Sequence, residues 1–540
     1  MRQKRNWARW ALGGALAATL VLSGCSGGST PGPSGTGGDS GASSASGVLH
    51  IGTTTDVANW VPLQTNSISD MWVLNQLYPS IVTVGPDGEF IPHVADEWTV
   101  NDAGDQLTLT LNPDFGWSDG EPITADDVIF TLDQMREYKL STAFSFIGNV
   151  AGAVADDANT VTVTLAAPSI GGVDNFLRNM RLLPQHVYEG EADLLQVDVS
   201  SDEKYWVSGG SFALSKIAPG QRYEFVRNEH YPLSAEGNEA VTGIEFNVYR
   251  DMNTMQLALQ NGDLDLAAPV VPATAITALT QQPSISTIET ENAGNYSRLV
   301  FNTAVPPLDD PEVRRAISGL IDTQAIIDTV LQGRGTALRG PLFELLATDL
   351  PDLPITPTTP EDVKKVLADA GYADLSLDLS CDQGNANHLK SAQLIHDDLA
   401  AAGITVNLTC AERATAMAAA NEGKFDMYIA KISPALSAAT TLQAIFGTDN
   451  IVRVNYGAAG DAQSDTLIAD AMAATDDASY IAALTAASAY IHDQAWVVPL
   501  YTETLTNAYN NSRFEGYVAS PYEQWRLVNS YSLSQVVPAK

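Results

Sequence analysis

The chain has 540 residues, 28 of them basic and 64 acidic, for a formal net charge of -36. A polyanion of that size repels nucleic acid, which excludes a phosphate-backbone binder and otherwise points to a solvated acidic surface. Hydrophobic residues make up 45% of the chain, enough for large cores, and no stretch after Cys25 offers 18 consecutive apolar residues for a membrane span.

Arg2, Lys4, Arg5 and Arg9 precede an uncharged apolar run from Trp10 to Leu22, which leads into Leu22-Ser23-Gly24-Cys25. A basic stretch, a short apolar stretch and a small-residue cleavage site make a secretory signal, and the run falls short of the roughly 20 residues that cross a bilayer. The order of residues up to Cys25 resembles a bacterial lipoprotein processing site. That resemblance implies cleavage of residues 1–24, lipidation of Cys25, and a body tethered at the extracellular face of the cytoplasmic membrane by several acyl chains together. A plain secretory signal with a chance cysteine is the alternative. Residues 25–47 are nearly all Gly, Ser, Ala, Thr and Pro without apolar periodicity, so they are expected to form a disordered tether.

Ordered structure is expected from Val48, with a strand to Thr53, a polar loop through Asp56 and Trp60, and a helix around Ser69 to Leu77. Ser80 to Val84 and Glu89 to Pro92 form a hairpin-like pair. Leu107-Thr108-Leu109-Thr110-Leu111 alternates at period 2, as a half-buried strand does. After the turn Trp117-Ser118-Asp119-Gly120, Thr124 caps a helix whose first turn carries Asp126 and Asp127. Adjacent carboxylates there complement the helix dipole and are read as helix starters, not as an acid/base pair. Strand-like and helical runs alternate from there on, which predicts a mixed α/β body.

Several ordered blocks carry a family resemblance. Glu97-Trp98, the Leu107 strand, Trp117 through Val128 with Phe130, Leu182-Leu183-Pro184-Gln185-His186, Val207-Ser208-Gly209-Gly210-Ser211-Phe212, and Gly262-Asp263-Leu264-Asp265 come first. Phe301-Asn302-Thr303, Pro306 to Asp310, Val313-Arg314-Arg315-Ala316, Phe425-Asp426-Met427 and Val498-Pro499-Leu500-Tyr501 come after them. Together they resemble the family 5 extracellular solute-binding proteins, which include oligopeptide-, dipeptide- and nickel-binding components of ABC importers. The resemblance implies an α/β, two-lobed periplasmic-binding-protein type II-like fold with a hinge between lobes and an extra subdomain in the first. It places the first lobe at 48–274 with the insertion at 86–204, the second lobe at 275–496, and a return to the first lobe over 497–540. Asp309, Asp310, Arg314 and Arg315 are read as structural, the acids opening the helix after Pro311.

The resemblance also implies an interlobe cleft lined by Thr55, Asp56 and Trp60 from the loop after the first strand, and by Gly210, Ser211 and Phe212 from the glycine turn. From the second lobe, Asn295, Tyr296, Lys431 and Ser433 should face it. One departure stands out. Peptide-binding members continue after Phe-Asp-Met through a tryptophan to an aspartate that pairs with the peptide amino terminus, whereas Met427 to Ala439 here contains neither. Lys431 supplies a cation instead. A buried lysine needs a partner, so Lys431 must reach solvent or pair, Asp56 and an anionic ligand group being the candidates.

With Cys25 assigned to lipid, Cys381 and Cys410 are left as an even pair in an oxidising compartment, and a disulfide is the preferred reading. Each ends a strand-like run, with the helical Asn387 to Ala402 between, so the two strands should lie parallel with their ends close. Zinc is disfavoured because two isolated cysteines lack its paired ligand spacing. The chain contains no His-Glu-x-x-His and no Walker loop, and its Gly24-Cys25-Ser26-Gly27-Gly28 lacks the setting of a nucleophile elbow. The seven histidines are scattered, and surface or cap roles are expected for most. No catalytic residue, cofactor or metal is expected. The resulting expectation is a monomeric importer component that hands a peptide or other small polar solute to a permease with a cytoplasmic ATPase. A sensor lobe for a signalling partner and an extracellular hydrolase remain alternatives.

Overall fold

The computed structural model describes residues 47–63, 67–86, 88–138, 147–291, 296–342, 346, 349–432, 437–450, 455–520 and 527–540. The expectations for Cys25, Asn295 and Ser433 lie outside the described residues.

Two mixed sheets organise the body. The first has seven strands in the order Ile285–Thr290, Leu505–Asn510, Leu266–Ala267, Gly47–Thr53, Val241–Val248, Arg222–Arg227 and Phe212–Ala218. Gly47–Thr53 runs parallel to both of its neighbours, and the other pairings are antiparallel. The second has six strands in the order Gly335–Ala337, Val497–Glu503, Tyr296–Phe301, Met427–Ile432, Ser376–Ser380 and Thr405–Leu408. Each sheet has its own apolar cores, one on either face of the second and two against the first.

The lobe boundaries differ from those expected. Ile285–Thr290 pairs along its length with Leu505–Asn510 in the seven-stranded sheet, and Val497–Glu503 pairs with Tyr296–Phe301 in the six-stranded one. The chain therefore passes to the second lobe after Thr290, not near 275, and returns after Glu503, not at Val497. The reason is physical: a period-2 pattern identifies a strand but not its partner, which depends on register with residues about 200 positions away.

A four-stranded antiparallel sheet falls within 86–204 and comprises Ala95–Val100, Gln106–Leu111, Thr160–Leu165 and Val150–Asp157. Leu107, Leu109 and Leu111 are buried on one face, as their alternation predicts. Helix α1 (Ile68–Leu77) packs into the first-lobe core, and the inserted segment contributes α2 (Ala125–Tyr138) and α3 (Ile170–Asn179). Asp127 in the first turn of α2 is buried and accepts hydrogen bonds from the Thr124 and Gln185 amides, at 2.8 and 2.9 Å. It thus ties the helix start to the Pro184 segment, a structural role.

In the second lobe α4 (Pro311–Leu320) begins at Asp310, whose carboxylate accepts from the Glu312 amide at 2.8 Å. Buried Arg314 donates to the Leu308 and Gln494 carbonyls, so it too is structural. Helix α5 (Ala386–Ala401) links the parallel strands Ser376–Ser380 and Thr405–Leu408, and α6 (Ala438–Phe446) is capped by Ser437. The short helix α7 (Ser530–Gln535) lies near the C-terminus.

Cys381 and Cys410 form a disulfide with their Cα atoms 4.4 Å apart, 29 positions apart in the chain. Closing a loop of that length in the unfolded state stabilises by about 3.5 kcal/mol. Cys381→Ser with Cys410→Ser is therefore expected to lower the unfolding free energy by about that amount, read as a lower urea midpoint. Among the described residues no helix is long and apolar enough to cross a membrane.

Candidate functional site

The first-lobe wall grows from the end of Gly47–Thr53. The adjoining loop is held rigidly: the Ala58 and Asn59 amides donate to the buried carboxylate of Asp70 in α1, at 3.0 and 3.2 Å, and the Val57 amide donates to the Tyr223 hydroxyl at 2.9 Å. Trp60 stands edge-on to Tyr223 with ring centroids 5.3 Å apart, and its carbonyl accepts from Tyr78. Thr55 is exposed, and Asp56 and Trp60 are half-buried. Asp56 and Trp60 border a pocket of about 370 Å³ that also touches Asp198, Pro219 and Tyr223. A carboxylate beside aromatic rings suits the cationic or polar end of a small molecule.

The glycine turn is placed differently from expectation. Phe212 is fully buried in the first-lobe core, and Ser211 donates to the Ser530 carbonyl at 2.9 Å. A side chain at Gly210 would collide with the Gln76 backbone and the Ser530 hydroxyl. Gly210, Ser211 and Phe212 are thus packing residues between α1 and α7, not an open ligand surface. Helix α7 is the cause, covering a turn that lies some 320 positions earlier in the chain.

Tyr296 is also inward-facing. It is fully buried in the second-lobe core, with the Arg298 guanidinium 5.7 Å from its ring centroid, and burial pushes its phenol pKa well up. Strand alternation puts Tyr296, Arg298 and Val300 on one face and Ser297, Leu299 and Phe301 on the other.

Lys431 lies on the Ser297 face, opposite Ser297 in register. Its ammonium pairs with Glu503 at 3.4 Å, not with Asp56, and the other Glu503 oxygen accepts from Asn387 at 2.7 Å. Buried His388, in the first turn of α5, sits with Nε2 3.4 Å from the Ser297 hydroxyl. Desolvation first, and the Lys431 charge second, push its pKa down to about 4. Glu503 is the last residue before the chain crosses to the first-lobe sheet. At the same crossing Arg334 pairs with Glu289 of that sheet at 2.6 Å, and its carbonyl accepts from the Thr504 amide. No motif links Asn387, His388 and Glu503 to Lys431, so this polar cluster at the end of the second sheet leaves no signal in the sequence. Nor are the histidines all peripheral: His93 and His388 are both buried.

The inserted subdomain also meets the second lobe. A chamber of about 740 Å³ lies between Asn149, Pro168, Ser169 and Asn175 on one side and Gln443 and Met472 on the other. Among the described residues no group of three His, Cys, Asp or Glu side chains is placed to hold a metal ion. What the geometry supplies is concave surface with a few oriented polar groups, suited to holding a solute.

Comparison with known proteins agrees with this geometry. Residues 89–452 match the family described as bacterial extracellular solute-binding proteins, family 5 Middle. Heme-binding protein A of Haemophilus influenzae is 24% identical over 459 residues, covering 80% of this chain and 82% of that protein. A probable di/tripeptide-binding protein of Pseudomonas aeruginosa is 24% identical over 502 residues, covering 86% and 91% respectively. Among solved structures, the ABC transporter substrate-binding protein CtaP of Listeria monocytogenes superposes with a TM-score of 0.80 at 19% identity, over 92% of this chain and 100% of that one. This likeness is one of fold, and it extends to the two-lobed arrangement.

Proposed function

The chain belongs to the bacterial extracellular solute-binding proteins of family 5, and from that premise we propose that it is the lipid-anchored capture component of an ABC importer. The family match over residues 89–452 supports the capture role, and the order of residues up to Cys25 supports the anchor. Cys25 is the proposed lipidation site, which would hold a monomeric body at the extracellular face of the cytoplasmic membrane, within reach of a permease. No bond is made or broken in the proposed role. Closure of the lobes encloses the solute, and opening releases it to the permease.

The proposed ligand is a peptide or another small polar solute. The stretch Met427 to Ala439 has no acid to meet a ligand amine, and the first-lobe pocket does: Asp56, with Thr55 and Trp60, is proposed to serve the cationic end. Lys431, already balanced by Glu503, is proposed to exchange that partner for an anionic ligand group.

Native mass spectrometry of the purified protein tests the reading. An intact solute carried through purification and released unchanged supports it, and a cleaved or modified product overturns it in favour of an enzyme. With that solute in hand, Lys431→Ala is expected to weaken binding about tenfold, the scale of one charge-assisted hydrogen bond, by calorimetry. Unchanged affinity removes Lys431 from the site.

A further inference from the structure

Helix α3 of the inserted subdomain is bonded directly to the second lobe, and its side-chain link is one carboxamide. The Asn175 oxygen accepts from the Ser437 amide at 2.6 Å, and its nitrogen donates to the Thr440 hydroxyl at 3.1 Å. Asn175 and Ser437 are both buried. One turn away, the Ile170 amide donates to the Ala474 carbonyl at 3.0 Å. A side chain at Gly171 would press on the Ser437 hydroxyl and the Tyr480 hydroxyl, so the glycine lets the backbones approach closely. Ser437 caps α6, so Asn175 holds the very start of that helix.

Two features mark this joint as separable. Its bonds are made by polar groups that water satisfies when the surfaces part, so each contributes modestly. It also borders the 740 Å³ chamber, so it is not packed against protein on every side. Polar interfaces of this kind within one chain permit relative motion. The arrangement differs from the crossings after Thr290 and Glu503, where the backbone itself joins the lobes.

We infer that Asn175 is a positioning residue for solute capture: it latches the inserted subdomain onto the start of α6 and so favours the closed arrangement of the lobes. The inference rests on the two-lobed capture reading. An asparagine fits the task because it accepts from a backbone amide and donates to a hydroxyl at once. An aspartate would still accept from Ser437, could accept from the rotated Thr440 hydroxyl, and would place its charge at a helix N-terminus, where it is favoured.

The test compares the full chain as purified with Asn175→Ala and Asn175→Asp. Asn175→Ala is expected to raise hydrogen exchange about tenfold in both Ile170–Asn179 and Ala438–Phe446, on the scale of a lost buried hydrogen bond. Exchange in Tyr296–Phe301 should stay unchanged, and the radius of gyration by small-angle scattering should increase. Asn175→Asp should track the wild type in all three. The inference is overturned if Asn175→Ala lowers the melting temperature without changing scattering, which marks a static weld, or if exchange changes on neither side. It is equally overturned if Asn175→Asp behaves as the alanine variant does. Neither readout needs a bound solute, so absence of a solute in native mass spectrometry would defeat the capture reading while this result stood or fell by itself.

Discussion

Lowering the pH from 7 to 4 is expected to cost this protein about 6 kcal/mol of folding stability through two buried histidines, about 3 kcal/mol each. Burial holds the pKa of His93 and of His388 down at about 4, from an ordinary value of 6.5. Between those values the unfolded chain binds a proton that the native state refuses. The stabilising contribution is therefore complete above pH 6.5 and is lost as the pH falls toward 4.

His93 shows why the native site refuses. Its Nδ1 lies 2.8 Å from the Ser80 carbonyl, which can only accept, so Nδ1 carries the hydrogen and Nε2 accepts from the Tyr231 hydroxyl at 2.9 Å. A second ring proton would face that hydroxyl in a site closed to water, with the Arg181 charge nearby. Urea titrations at about pH 7, 5.5 and 4, spanning the two protonation limits, check the prediction. His93→Gln and His388→Gln should each remove about half of the histidine-dependent slope, and an unchanged slope in both would refute the assignment.

Arg513→Ala is expected to destabilise the protein by about 3 to 5 kcal/mol, the cost of stripping the partner from a buried charge. Asp265 is fully buried, its carboxylate held by Arg513 at 2.9 Å on both oxygens and by the His50 amide at 2.8 Å. Burial outweighs these contacts and raises its pKa. Arg513 also donates to the Val48 carbonyl, so one side chain joins the first strand, the Asp265 segment and the C-terminal return. Asp265→Asn in the Arg513→Ala background should recover part of the loss, because a neutral amide no longer needs the cation. Chemical denaturation of the single and double variants measures both effects.

Legibility tracked the range of the interactions. The Leu107 to Leu111 strand, the α4 start at Asp310 and the strand-helix-strand unit around α5 are readable because each is written in a few neighbouring residues. The candidate site is legible only in part. Asp56 and Trp60 line a pocket within the first lobe, whereas Gly210, Ser211 and Phe212 are covered by α7, and Tyr296 points into a core. Motif position locates the neighbourhood, but the direction of a side chain depends on register and on what packs over it.

Asn175 shows the same limit from the other side. No pattern distinguishes it from any other polar residue on a helix, because its partners Ser437 and Thr440 lie more than 260 positions away.

By itself, then, the sequence determined the alternation of helices and strands and the ordered blocks of the family, both of which reside in local spacing. Only the tertiary structure decided that the lobes exchange strands after Thr290 and Glu503, that Lys431 answers to Glu503, and that the inserted subdomain is fastened at Asn175. Those outcomes arise from pairings between distant segments, whose free energies are set by burial and geometry once the chain has folded.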